Sequence, residues 1–230
     1  MPSRSRYRTD PTQPTPSQAL RDVVVRGFGP AAALALANVA LGRALVRRAG
    51  LRERETAVVR QLQSRRTPLA DVVARVASTA SDVPASVLHG AVAVAVLQRR
   101  THQWWVALIP ALALVLEASG YLAVGAAVNR ERPDVPRLDH DQPTSSFPSG
   151  HQGATVALMV VYALMARDVR SPGLRAVITT ACLAYPTTVA WSRVYVGMHY
   201  PSDVAVGTVN GLASGLLAWT YLRRQPSDLL

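Results

Sequence analysis

Six apolar runs, at about residues 27–46, 83–98, 104–128, 153–166, 174–191 and 204–222, constrain the fold of this chain more than any other feature. Each is near the ~20 residues a helix needs to cross a ~30 Å hydrocarbon core, where a backbone has to satisfy its own hydrogen bonds. The expected fold class is therefore all-α: a six-transmembrane-helix bundle. Bulk composition alone does not decide this, since 49% hydrophobic and 17% charged residues suit soluble and membrane chains alike. The fourth run is short, and Arg43 and Glu117 lie at or inside run edges, so the count of runs is firmer than their ends.

The formal charge of +11 is carried entirely by arginine, with no lysine in the chain. A single basic stripe would point to nucleic acid; here the arginines sit in short segments between apolar runs, so no nucleic acid partner is expected and the bilayer is. Arg4, Arg6, Arg8, Arg21 and Arg26 precede the first run. Arg99 and Arg100 follow the second, Arg167, Arg170 and Arg175 bracket the turn after the fourth, and Arg223 and Arg224 follow the sixth. With six spans these segments share one side, which the positive-inside rule makes cytoplasmic, both termini included. "RRAGLRERETAVVRQLQSRR" places seven arginines on the other side, and reads as an interfacial amphipathic helix between spans one and two.

The expected organisation is a disordered basic cytoplasmic tail over residues 1–22, a six-span domain over 23–224 and a short tail over 225–230. The first run resembles a signal peptide, but five further spans argue against removal. Trp104 and Trp105 open the third run where an interfacial aromatic belt would lie. The lone Cys182 lies inside the fifth run, so neither a disulfide framework nor a cysteine metal site is expected.

Three polar constellations interrupt the apolar chain: "NRERPDVPR" (129–137), "SSFPSGH" (145–151) and "SRVYVGMHYPSD" (192–203). In a six-span topology all three face the extracytoplasmic side and can converge. Taken alone, "PSGH" reads as a helix cap, with Ser149 as N-cap and Gly150 relieving the backbone. A helix N-terminus also offers free N–H groups and a positive dipole end, which favour an anion such as phosphate. Arg132 and Arg193, one in each flanking constellation, add guanidinium forks that pair bidentately with phosphate oxygens. His199 and Asp203 stand four apart around Pro201, so the carboxylate can reach back to one imidazole nitrogen and leave the other as a nucleophile. His151, beside the cradle, is placed to protonate a departing oxygen.

"RP" at 132–133, "PSGH" at 148–151 and the "SR", "H", "D" spacing over 192–203 together resemble the three-part motif of the type 2 phosphatidic acid phosphatase family, over about residues 27–222. That family includes membrane lipid phosphatases and soluble vanadium haloperoxidases; the six spans point to the former. The resemblance implies a metal-independent phosphatase without cofactor, acting on a polyprenyl diphosphate or phospholipid phosphate in a bacterial plasma membrane. It also implies a phosphohistidine intermediate on His199, with Asp203 as its orienting partner and His151 as acid. Arg132, Ser149, Gly150 and Arg193 would hold phosphate.

Gly125 stands where the family carries a lysine, seven residues before the arginine of "RP". Arg130 is a candidate to take that place, as is Arg137. An alternative follows from the same departure: a catalytically weak membrane protein that binds phospholipid headgroups or acts as a scaffold. Glu117 and the distant His89 and His102 read as structural, and Asp139 and His140 as solvated loop residues. No cluster of Cys, His and carboxylate stands at ligand spacing, so no metal site is expected.

Overall fold

A computed structural model describes residues 14–140 and 144–221, and the described residues form helices and no strand. Helix α1 (Pro16–Asp22) passes through a π-helical turn (Val23–Phe28) into α2 (Gly29–Val46), giving one continuous helix of 31 residues. Its start carries a complete capping box, in which Thr15 Oγ1 accepts from the Gln18 amide at 3.3 Å and Gln18 Oε1 accepts from the Thr15 amide at 3.2 Å. The expected disordered tail therefore ends earlier than residue 22, because Pro16–Asp22 is already helical. Residues 1–13 and the tail at 225–230 lie outside the described residues.

Helices α3 (Ala49–Gln63) and α4 (Pro68–Ala80) follow, then α5 (Val83–Thr101), α6 (Trp104–Ala107) and α7 (Ile109–Val128). Helices α8 (Gly150–Ala166), α9 (Pro172–Tyr195) and α10 (Pro201–Tyr221) complete the described residues. Each of the six apolar runs is thus helical, although the third breaks at Leu108 ahead of Pro110. Among the described residues, two helices are long and apolar enough to cross a membrane, Pro16–Val46 and Ile109–Val128, or three if α4 and α5, bent by 59°, count as one span. The expected six is not met on this measure for a physical reason. Helix α8 is apolar but has 17 residues, while α9 and α10 dilute their apolar surface with inward polar groups such as Ser192, Arg193, Asn210 and Ser214.

Helix α8 is the centre of the bundle, packed by α7, α9 and α10. Its approach to α10 is a small-residue seam of the kind that lets helix backbones meet. A Cβ on Gly207 would fall 2.5 Å from the Ser149 carbonyl oxygen, and one on Gly215 would fall 2.8 Å from that of Ala157. Gly211 meets the Gly153 carbonyl between them. Trp105, Ile109, Ala113, Leu116, Ala157, Val161, Ala218 and Trp219 form the main apolar cluster, so Trp105 turns inward rather than lying in an outer belt. Glu117 is buried beside Gly153 within this packing.

Candidate active site

Main-chain bonds gather the three polar constellations at one end of the bundle. Helix α7 stops at Asn129, whose left-handed backbone (φ 47°) turns the chain, a conformation that asparagine tolerates. Ser146 N then donates to Arg130 O at 2.9 Å, tying the second segment to the first, and Ser149 N donates to Asp203 O at 3.1 Å, tying it to the third. Leu138 N donates to Val196 O at 3.0 Å. Gly197 makes the turn before His199 with φ 76°, where a side chain would strike Val135 and the Pro136 carbonyl.

Three of the expected phosphate ligands present buried polar atoms with no protein partner: Arg132 Nε, Arg193 Nε and Nη2, and Ser149 Oγ. Ser149 occupies the N-cap of α8, yet its hydroxyl makes no capping bond, so the purely structural reading of "PSGH" does not describe it. A buried donor without a partner is costly, about 1–3 kcal/mol and more when charged. Burial, then the neighbouring charge of Arg193, lowers the pKa of Arg132 from the ordinary arginine value. Two neighbouring guanidinium groups with unpartnered nitrogens have the chemistry to accept an anion.

Arg193 is held from behind. Its Nη1 donates to Asp139 Oδ2 at 2.7 Å and to Ser78 Oγ, and Ser78 Oγ bonds Asp139 Oδ2 at 2.6 Å. Asp139 is therefore no solvated loop residue, in contrast to the sequence expectation; His140 beside it is exposed. Burial works against the Asp139 carboxylate, but Ser78 and Arg193 outweigh it and hold its pKa below the usual range.

His199 is 2% exposed, and its Nδ1 lies 2.6 Å from the Ser146 carbonyl oxygen. A carbonyl only accepts, so Nδ1 carries the proton and Nε2 presents its lone pair. Asp203 Oδ2 stands 3.9 Å from Nδ1, too far for the direct hydrogen bond that the four-residue spacing suggested. Helix α10 begins at Pro201, so His199 lies outside it and helical spacing does not apply. Asp203 Oδ2 instead accepts from Tyr200 N at 2.9 Å. Burial first, then Arg193 and Arg132, hold the His199 imidazole well below the usual histidine range, which keeps it neutral.

Arg130 does not take the place of the family lysine, because its donors are spent elsewhere. Nη1 lies 2.5 Å from Asp203 Oδ1 and 2.8 Å from Ser202 Oγ, Nη2 lies 2.8 Å from Glu55 Oε2, and the group sits 4.1 Å from the centre of the Tyr200 ring. Glu55, on the buried side of α3, also accepts from Ser202 N at 2.7 Å. The helix expected to lie in the interface thus delivers a carboxylate to the site. Arg137 lines an open polar basin of about 1140 Å³ together with Arg52, Arg60 and Arg132.

His151 Nε2 lies 2.6 Å from Asp82 Oδ1, a partner that sequence reading missed, as it missed Ser78, Glu55 and Gly207. All four act across the chain, and only the N-cap-like "SDVP" around Asp82 carries a local signal. Arg193, Arg132 and His151 all stand near enough to His199 to act on its charge. Arg132, Arg193, His199 and His151 thus stand in one cluster.

Comparison with known proteins gives the family and the fold. Residues 103–227 match the PAP2 superfamily. The chain is 38% identical over 133 residues to the decaprenylphosphoryl-5-phosphoribose phosphatase of two Mycobacterium tuberculosis strains, a match covering 56% of this chain and 66% of each relative. That span is just under two thirds of the relatives' length. Among solved structures, a transmembrane PAP2-type phosphatidylglycerolphosphate phosphatase from Bacillus subtilis superposes with a TM-score of 0.73 at 21% identity, covering 84% of this chain and 98% of that one. Aquifex aeolicus LpxE superposes with a TM-score of 0.54 at 22% identity, covering 72% and 94%.

Proposed function

Because the chain belongs to the PAP2 superfamily, we propose that it is an integral-membrane lipid phosphatase that removes a terminal phosphate from a polyprenyl-linked or phospholipid-linked substrate. The observation that carries this reading is the set of unpartnered buried donors on Arg132, Arg193 and Ser149, which an anionic phosphoryl group would satisfy. The name of the mycobacterial relative supports a polyprenyl-linked phosphate among the candidates.

In the proposed reaction the phosphoryl group rests among Arg132, Arg193 and Ser149 at the N-terminus of α8, with Gly150 giving the backbone close access. The Nε2 lone pair of His199 attacks phosphorus, forming a P–N bond while the P–O bond to the leaving group breaks. His151 gives its proton to the departing oxygen, then takes one from the water that attacks the phosphohistidine and releases inorganic phosphate. Asp203 acts through the backbone around His199, and no step needs a metal.

A six-span arrangement is supported by the outward faces of the helices that fall short on length or apolarity. Val87, Leu88, Val92 and Val96 on α5, Leu174, Val177 and Leu183 on α9, and Val209, Leu212 and Leu216 on α10 are exposed. So much apolar surface on one molecule suits lipid rather than water. The charge bias of the loops supports an extracytoplasmic site in a bacterial plasma membrane, with both termini cytoplasmic.

Purified protein in detergent is expected to release phosphate from some members of a panel of lipid phosphates, to resist EDTA and to be inhibited by orthovanadate. Loss of all activity with EDTA would overturn the metal-free mechanism. The competing reading, a weak phospholipid-binding or scaffold protein, rests on Gly125. A Cβ there would meet the Phe147 carbonyl oxygen and Ser145 Cβ at 3.7 Å, ordinary contact, so Gly125→Lys can be accommodated at its root. A phosphatase limited by phosphate binding should gain about 10-fold or more in kcat/KM from the added donor, whereas a scaffold stays silent.

A further inference from the structure

Position 125 carries no donor side chain, and Arg130 does not replace one because Asp203 and Glu55 bind it. One helical turn before Gly125, on the same face of α7, stands Tyr121. It is half-buried, and its ring lies against the first residue of α8: a Cβ on Gly150 would fall 3.1 Å from Tyr121 Cδ2 and Cε2 and 3.3 Å from Cγ. The bare backbone at Gly150 is what lets an aromatic ring come so close to the start of that helix. Ser149, with its unpartnered hydroxyl, is the adjoining residue. The phenol is also near enough to Arg132 and to Arg193 to act on the charge of both guanidinium groups. Among the described residues its hydroxyl forms no hydrogen bond.

We propose that Tyr121 is a phosphate ligand of this site, its hydroxyl donating a hydrogen bond to an oxygen of the phosphoryl group that Arg132, Arg193 and Ser149 hold. The inference rests on the phosphatase reading and adds a residue to its site. Arg132 is anchored by Nη1 to the Met198 carbonyl at 2.7 Å and by Nη2 to that of Thr144 at 3.2 Å, which leaves Nε without a partner. Arg193 is anchored by Nη1 to Asp139 and Ser78. Its unpartnered Nε and Nη2 form one edge of the guanidinium, the edge that grips two oxygens of an anion at once. These nitrogens and the Ser149 hydroxyl border the space for the anion, and a phenol seated on Gly150 within reach of both arginines stands at the edge of that space. A phosphoryl group brings three strongly accepting oxygens, so the unpartnered atoms already named do not exhaust it. A phenol also donates while neutral, so it adds a bond without adding to the repulsion between two neighbouring guanidinium groups.

The test is Tyr121→Phe in the full chain, which keeps the ring on Gly150 and removes only the hydroxyl. Two quantities are compared with the natural protein: kcat/KM for phosphate release from a lipid phosphate in detergent, and the orthovanadate concentration that gives half-maximal thermal stabilisation. Both should worsen by about tenfold or more, the loss expected for a hydrogen bond to a charged group, with Tm in the absence of vanadate unchanged. Gly125→Lys should gain more in Tyr121→Phe than in the natural chain, because the two donors serve one phosphoryl group. Unchanged kcat/KM and vanadate affinity in Tyr121→Phe would overturn the role of Tyr121 and leave the phosphatase reading standing, as would equal gains from Gly125→Lys in both backgrounds. Losses in Tyr121→Leu that are absent from Tyr121→Phe would make Tyr121 a packing residue and overturn the proposal in the same way. Failure of the natural protein to release phosphate from any lipid would overturn the phosphatase reading, and the vanadate affinities would still decide for or against Tyr121.

Discussion

Replacing His199 with alanine is expected to lower turnover by about 10⁴-fold or more, the scale of loss seen when a nucleophile is removed from a covalent mechanism. Acid-labile, base-stable phosphate should also disappear from enzyme quenched during turnover. The side chain is buried and its Nδ1 proton is fixed by the Ser146 carbonyl. The pH profile gives a second reading of the same residue. A histidine whose pKa is lowered keeps its lone pair until the pH falls below that lowered value. The acid limb of kcat/KM that belongs to His199 should therefore lie well below pH 6.5. An acid limb near the ordinary histidine value, lost in a His151 variant but kept in a His199 variant, would exchange the two roles.

Gly207→Ala should lower kcat/KM by about 10²-fold without removing any catalytic side chain. Its new Cβ would fall 2.5 Å from the Ser149 carbonyl oxygen and 3.3 Å from Ser149 Cβ. Backbone of two packed helices cannot yield as a flexible side chain does, so the cradle itself shifts. Gly215→Ala is the control: its Cβ would strike the Ala157 carbonyl at 2.8 Å on the same seam, two turns from the site. Both variants should lose about 1–3 kcal/mol of stability from overpacking, but Gly215→Ala should keep most of its activity. Equal activity losses would mean that seam separation acts on the whole bundle.

What could be read from the sequence was what acts locally. Apolar runs became helices because each carries its own hydrogen bonds and its own apolar surface. Residue chemistry in short segments was enough to single out Arg132, Ser149, His151, Arg193 and His199 as candidates. Geometry between segments was not legible. The spacing of His199 and Asp203 suggested a helical pair, but the helix starts after His199 and the proton acceptor is a main-chain carbonyl from another segment. Arg130 and Arg132 look interchangeable in "RER", and only their partners separate them: Arg130 is bound by Asp203 and Glu55, whereas Arg132 bonds the Met198 carbonyl and keeps its Nε unpartnered. Asp82 and Glu55 carry no local signature of their roles because their partners lie 69 and 75 positions away. The span count failed on length and apolarity because inward polar residues lower the mean hydropathy of a helix without saying which way they face.

The link from Glu55 through Arg130 to Asp203 bears on how such a protein can be divided or recombined. The region recognisable by family begins at residue 103, but the carboxylate that neutralises Arg130 comes from α3, well before it. A chimera that borrowed only the recognisable part would bring along a buried arginine with one partner missing, and breaking a buried ion pair in this way costs about 3–5 kcal/mol. The smallest heritable unit of this active site therefore includes the helix that delivers Glu55, and exchanges between relatives should succeed only when both halves come from the same parent.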